Sequence, residues 1–449
     1  MMPSLSLKTY GQTDSRIIRI LIPVIIENGL MTLSGMVLTG YIGRLPVTDI
    51  NAYGLCTRIY SIYGALIRGM AAAVLVLLAK ELMKRRRHLI NHLIQECYME
   101  ILFVSVLLSV LILICSGWIL SFMSRDPVLL AGGKRLLLQT VWFYPLFALI
   151  RLNASAFQAK GNTGTPMKIA VAGNIVSIIF GYIWIFGIGS FHGYGISGAA
   201  MAQNLSLCVM FLLGTFLLYG KGGEYEGAFE NWKMQNFSGS SKLIRMGIPA
   251  ALEDSFWQFA AVMISRIILG YGQEYYASYQ LGLQAEGFCD TMSAGFMTAS
   301  LSLASGSSEE QNGVYLKRLR FFCRIVIMIT MLFLLTLSSK VLGLLTDKPE
   351  LIRIASGYLL VMVFSQYPTH MQKISNGFIK ASGRAGTTMT VNLVGLWLIR
   401  VPLVYLLGSV LNADIMMIWW AFNADLWFRF ILLEIILKRQ RSAAAQQMR

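Results

Sequence analysis

Runs of about twenty mostly apolar residues recur along this chain, and nothing else in it constrains the fold as strongly. A helix of that length crosses the hydrocarbon of a bilayer, where the backbone has no water to satisfy its polar groups. Reading the runs between polar or Gly/Pro breaks gives twelve candidate spans. Six lie in the first half, at 17–43, 53–79, 97–123, 135–158, 168–190 and 197–219. Six lie in the second, at 245–270, 277–303, 321–344, 353–379, 388–409 and 415–437. The one long polar stretch, KGGEYEGAFENWKMQNFSGSS from Lys221 to Ser241, separates them. The expectation is an all-α integral membrane protein with an N-lobe at 1–220, a cytoplasmic linker at 221–241 and a C-lobe at 242–449.

Composition agrees. Hydrophobic residues make up 56% of the 449 and charged residues 13%. Counting Gly and leaving out Tyr, the apolar share is roughly 61%, against about 45–50% apolar and about 25% charged in soluble domains. A soluble enzyme and a disordered chain are both excluded. The net charge of +16 in a soluble protein would point to nucleic acid. Here its placement decides. With a cytoplasmic N-terminus, 24 of the 38 Lys and Arg fall in inside segments, seven in outside segments and seven within spans. That bias is the positive-inside pattern of short loops. It predicts a multi-pass protein of the cell membrane with both termini cytoplasmic, in contact with lipids and with no nucleic-acid partner. A monomer is expected.

Self-comparison shows a repeat. RILIPVIIEN (Arg19 to Asn28) returns as RMGIPAALED (Arg245 to Asp254), 226 positions on; Tyr144-Pro145 returns as Tyr367-Pro368 after 223. FQAKGNTGTP (Phe157 to Pro166) returns as IKASGRAGTT (Ile379 to Thr388) after 222. Three matches in one order imply duplication of a six-helix unit. Six is even, so both copies start on the same side, and the lobes are expected to be related by a pseudo-two-fold axis along the membrane normal. Pro23 and Pro249 then bend corresponding helices.

Residues after the fourth span resemble a known family. Gly161-Asn162-Thr163-Gly164-Thr165-Pro166 is similar to the G-D/N-T-x-T-P loop of the multidrug and toxic-compound extrusion (MATE) exporters. Gly195-Ile196-Ser197-Gly198-Ala199-Ala200 is similar to the family's G-V-x-G-A-A, and Ile22-Pro23, Ile248-Pro249 and Gly43-Arg44 also fit. The resemblance implies two six-helix lobes around a V-shaped central cavity. It also implies secondary antiport: a small organic compound (cationic, amphipathic or zwitterionic) leaves in exchange for H+ or Na+, with no cofactor beyond the coupling ion. Three departures matter: Leu38 and Gly181 stand where family members with an N-lobe cation site carry Asp. Trp257 stands where the sodium-coupled branch places Glu. The alternative within transport is a lipid-linked oligosaccharide flippase of the wider superfamily.

An ionisable group within a span is expensive and marks a candidate site. Glu27 and Glu253 each follow their half's proline by four residues and precede Asn28 and Asp254. A carboxylate there binds a cationic substrate or carries a proton; near a helix start it equally complements the dipole. Glu286 and Asp290, four apart, share a helix face and either share a proton or meet a cation, unless Arg266 pairs with them. Arg58, Arg68 and Arg151 make the N-lobe basic, either neutralising Glu27 or receiving an anionic group on the substrate. Asn153, Asn174, Trp257 and Gln284 are polar or aromatic candidates for the cavity wall. Asp425 and Arg429, at i and i+4, read as an internal ion pair. No HExxH, GxSxG or DxD cluster and no P-loop occurs, so neither membrane-embedded catalysis nor ATP coupling within this chain is expected. Six scattered cysteines with no CxxC pair form neither a disulfide framework nor a zinc pattern.

Overall fold

The computed structural model describes residues 7–83, 87–160, 162, 164–189, 191–229, 240–304 and 309–447. They are almost wholly helical. The chain runs α1 (Leu7–Ile42), α2 (Val47–Met83), α3 (Arg87–Met123), α4 (Pro127–Thr140), α5 (Tyr144–Ala159), α6 (Gly164–Phe186) and α7 (Ile196–Tyr219). After the polar stretch come α8 (Ser240–Tyr271), α9 (Gln273–Ala304), α10 (Glu309–Leu345) and α11 (Pro349–Ala381). Then follow α12 (Ala385–Val394), α13 (Val401–Tyr405) and α14 (Ile415–Gln447). A 3-10 turn at Val141–Phe143 joins α4 to α5 in one rod, and π turns at Gly395–Arg400 and Leu406–Val410 flank α13 in another. Pro402 has no N–H to offer the carbonyl of Leu398, and the helix widens on both sides of it. A two-stranded hairpin, β1 (Gly187–Ile188) with β2 (Phe191–His192), closes the turn between α6 and α7.

Local chemistry sets the helix ends. Asp126 accepts the Val128 N–H at 2.9 Å and Pro127 takes the first helical position, so α4 starts there. Asn162 accepts the Thr165 N–H at 3.0 Å at the start of α6, which is why the loop from Gly161 to Pro166 carries a short amide there. The first part of the polar stretch also packs: Tyr225 is buried and donates to the carbonyl of Ala156 at 3.1 Å. Burial, with the Glu224 carboxylate beside it, raises the Tyr225 hydroxyl above its ordinary range, so it stays a donor.

Six rods are long and apolar enough to cross a membrane, counted among the described residues: 90–123, 127–159, 164–186, 196–219, 310–345 and 386–410. Large apolar side chains stand exposed on their outer faces, Ile114 (75%), Trp118 (73%) and Met328 (71%) among them, the surface a lipid solvent requires. α9, α11 and α14 are more polar because they face one another. α11 buries Ser365, Gln366, Thr369, His370, Gln372, Ser375 and Asn376.

The chain divides into two compact units, Tyr41–Leu269 and Met1–Gly40 with Gly270–Arg449. This partition differs from lobes at 1–220 and 242–449: α1 groups with the C-terminal helices and α8 with α2 to α7. In the second unit, Asp14 of α1 accepts from Arg318 Nε at 2.6 Å, and Ile17 and Leu21 enter the core with Phe296, Leu319, Met371, Phe378 and Leu433. In the first unit, Arg266 of α8 lies over the Phe122 ring of α3 at 4.4 Å.

Candidate functional site

Within the unit of Met1–Gly40 and Gly270–Arg449, α9, α11, the π turn and α14 bring charges together. Gly282 makes room for it: a Cβ there would stand 2.6 Å from the Tyr358 ring. α9 and α11 therefore approach closely, and one turn further along α9 the Tyr358 hydroxyl donates to Glu286 Oε2. Asp290 is the next residue on that face. Its electrostatic neighbours are Lys373 of α11 and Arg400 of the π turn, and Arg400 also acts on Glu286.

Gly395 does the same for the rod behind. A Cβ there would fall 2.4 Å from both Asp425 Oδ1 and Arg429 Cγ. The backbone thus lies against α14, and Arg400 Nε reaches Asp425 Oδ2 at 2.7 Å while Arg429 reaches the same oxygen at 2.5 Å. Asp425 is fully buried between two guanidinium groups. His370, buried on α11, has Nδ1 2.9 Å from the Gln366 carbonyl. Nearer one end, Glu434 joins three helices, meeting Arg320 of α10 and Ser375 of α11, each at 2.5 Å.

The charges in this cluster balance: Glu286, Asp290 and Asp425 against Lys373, Arg400 and Arg429. Asp425 is committed to two arginines. The Glu286–Asp290 pair is therefore the part that can exchange a proton or a cation, because taking up one positive charge is felt by neighbours already in place. Among the described residues no group of three or more His, Cys, Asp or Glu side chains is arranged to hold a metal ion.

The sequence candidates fare unequally. The Asp425–Arg429 pair forms as expected and gains Arg400. Within their own units, Glu286 takes the Tyr358 hydroxyl and Arg266 lies over the Phe122 ring. Asn153 serves as a tie between helices. It is buried, donates to Thr215 Oγ1 at 3.2 Å and accepts from the Tyr219 hydroxyl at 3.3 Å, tying α5 to α7. Gln284 lies on α9 against Gly35 of α1. Asn174 is half-buried on α6, and Trp257 is exposed on α8. Glu27 and Asn28 lie in α1, and Glu253 and Asp254 in α8, but their side chains fall outside the described residues. Arg58 and Arg68 are half-buried on α2, and Arg151 is exposed on α5. Lys373, Arg400 and Glu434 drew no attention in the sequence, although Lys373 and Arg400 belong to the seven basic residues inside spans.

The MatE family model matches residues 23–183 and 249–406. The two stretches begin 226 positions apart, the offset between the two Ile-Pro segments. A relative from Thermotoga maritima described as "Probable multidrug resistance protein NorM" is 21% identical over 420 residues, covering 93% of this chain and 90% of its own. Among solved structures, the inward-facing conformation of a multidrug resistance MATE family transporter of the MOP superfamily aligns with TM-score 0.82 at 13% identity. It covers 94% of this chain and 98% of that one. A MOP superfamily transporter from Pyrococcus furiosus, whose binding pocket is described as of reverse polarity with a different function suggested, aligns with TM-score 0.74 at 15% identity over 96% of each chain.

Proposed function

The chain belongs to the MatE family of membrane transporters, and from that footing we propose that it is a multidrug efflux antiporter, expelling small amphipathic organic compounds in exchange for protons. It is a multi-pass membrane protein and not an enzyme. In this reading all twelve rods cross the cell membrane, both termini are cytoplasmic, and the halves form two six-helix lobes about a pseudo-two-fold axis along the membrane normal. The doubled family match supports the duplication. The relatives described as multidrug resistance proteins support the kind of cargo.

One observation carries the coupling ion. Glu286 and Asp290 sit one turn apart, with a tyrosine hydroxyl on the first and two fixed cations, Lys373 and Arg400, beside the second. A sodium ion there would have to share space with two positive charges and displace the Tyr358 donor. A proton adds to a carboxylate oxygen without either cost, and Tyr358 can then accept instead of donate. Protonation changes the cluster's charge by one unit, and a cationic group entering the site does the same. The two compete, which is the requirement for exchange.

The test is dye efflux from proteoliposomes under imposed gradients. A pH gradient should drive transport, a proton ionophore should abolish it, and a sodium gradient alone should not drive it. Glu286→Gln should lose the pH-driven component. Transport driven by sodium alone overturns the proton reading. Indifference to both gradients overturns antiport and favours the lipid-linked oligosaccharide flippase.

A further inference from the structure

The unit Tyr41–Leu269 contains a second feature that the acidic pair does not explain. A cavity of about 280 Å³ lies between α2, the α4–α5 rod and α7, walled by Tyr53, Thr57, Tyr60, Thr140, Tyr144 and Gln203 among others. Its α2 wall, Tyr53, Thr57, Tyr60 and Ser61, continues at helical spacing into Gly64 and Arg68. Its wall on the α4–α5 rod, Leu136, Thr140 and Tyr144, continues in the same way into Phe147 and Arg151. Residues three and four apart share a helix face, so aromatic cavity and guanidinium groups lie along one groove.

The contacts bear this out. Tyr60 packs against both Tyr144 and Phe147, each with ring centroids 5.2 Å apart. The Arg151 guanidinium lies over the Phe147 ring at 5.0 Å. Arg68 and Tyr60 are its electrostatic neighbours. Gly64 leaves the space in which these groups meet: a Cβ there would stand 3.1 Å from Arg68 Nη1 and 3.7 Å from the Phe147 ring. Arg151 makes no ion pair or hydrogen bond with any described residue. A guanidinium within a span, placed over an aromatic ring and beside a second guanidinium, keeps N–H groups for whatever enters the groove.

We propose that this groove binds an amphiphile with an aromatic or apolar body and an anionic head: the body fills the tyrosine-walled cavity, and a carboxylate or phosphate meets Arg151, with the positive charge of Arg68 beside it. Tyr144 and Arg151 are about 10 Å apart along the helix axis at 1.5 Å per residue, the length of a two- or three-ring compound with a terminal acid. The inference deepens the efflux reading by naming a feature of its cargo. It also departs from a cargo that is only cationic. The same chemistry is offered by a soluble carboxylated compound and by an anionic phospholipid.

The experiment uses a rhodamine with a free benzoate carboxylate and its methyl ester, two dyes that share one body. Binding to the purified full-length protein in phosphatidylcholine nanodiscs is followed by fluorescence anisotropy. The free acid should bind more tightly than the ester. Arg151→Ala should weaken the acid about tenfold or more, the scale of a lost hydrogen bond to a charged group, and leave the ester within about twofold. Arg151→Lys keeps the charge but loses the planar fork, and should fall between. Unchanged ester binding shows that each variant is folded. Adding phosphatidylglycerol separates the sources: competition that disappears in Arg151→Ala identifies the lipid as the occupant, and no competition identifies the soluble acid. Equal affinity for acid and ester, or equal loss of both in Arg151→Lys, overturns the proposal. Because binding is read without any gradient, this result stands apart from the proton-coupling test: pH-driven efflux of the ester with no preference for the acid sinks the groove and leaves antiport intact.

Discussion

The two compact units hold charge inside membrane-length helices in opposite ways. In the unit built on α9, α11 and α14, carboxylates and cations alternate, and each buried arginine meets an acid. Arg400 and Arg429 converge on Asp425. In the unit built on α2, the α4–α5 rod and α7, Arg151 is held by an aromatic face. The first arrangement is closed except at Glu286 and Asp290. The second leaves the N–H groups of Arg151 open to a ligand. A closed network is suited to moving a proton within itself, while an aromatic-backed guanidinium is suited to receiving an anion from outside.

Breaking the closed network should have the largest effect. Asp425→Ala leaves Arg400 and Arg429 facing each other while buried, and removing one partner of a buried pair costs about 3–5 kcal/mol. A collapse in thermal stability, followed by size-exclusion chromatography after heating, is the expected outcome; a wild-type melting profile would show that water already screens the cluster. Next is the packing that assembles it. Gly395→Ala drives a Cβ into Asp425 and Arg429, and overpacking of this kind costs about 1–3 kcal/mol. The same assay should rank it below Asp425→Ala.

Tyr358→Phe removes only the hydroxyl on Glu286. A hydrogen bond to a charged group contributes about 1.5–3 kcal/mol, so the pH dependence of dye efflux should shift while the protein remains folded. An unshifted profile would place the coupling group elsewhere. The smallest effect is expected in the aromatic unit, where Asn153→Ala loses the ties to Thr215 and Tyr219. It should lower stability by about 1 kcal/mol without altering the acid-over-ester preference. A changed preference would show that Asn153 acts on the groove as well as on helix packing.

Much of the architecture is legible along the chain. The apolar runs, the polar break after Gly220, the repeated Ile-Pro segments and the Asp425–Arg429 pair all depend on periodicities of a few residues or on self-similarity, and both can be read from one string of letters. The polar candidates were harder. Asn153 and Asn174 look alike in sequence, yet one is a buried tie between helices and the other is half-buried on α6. For Glu286 and Asp290 the sequence left two readings open, a shared proton or cation and a pairing with Arg266; it gave no sign of the Tyr358 hydroxyl on Glu286 or of the Phe122 ring under Arg266.

What the order of residues dictates, then, is a membrane protein in which one family pattern occurs twice, with helix-long apolar faces and an excess of acid on α9 and of base on α2. Which charges meet was settled by packing. Arg400 reaches Asp425 because Gly395 admits α14, and Tyr358 reaches Glu286 because Gly282 admits α11. These contacts join residues 25 to 76 positions apart. Hydrophobic periodicity says which face of a helix is buried but not which other helix covers it. That choice rests on the absence of side-chain volume at a few glycines, and it becomes visible only when the rods are side by side.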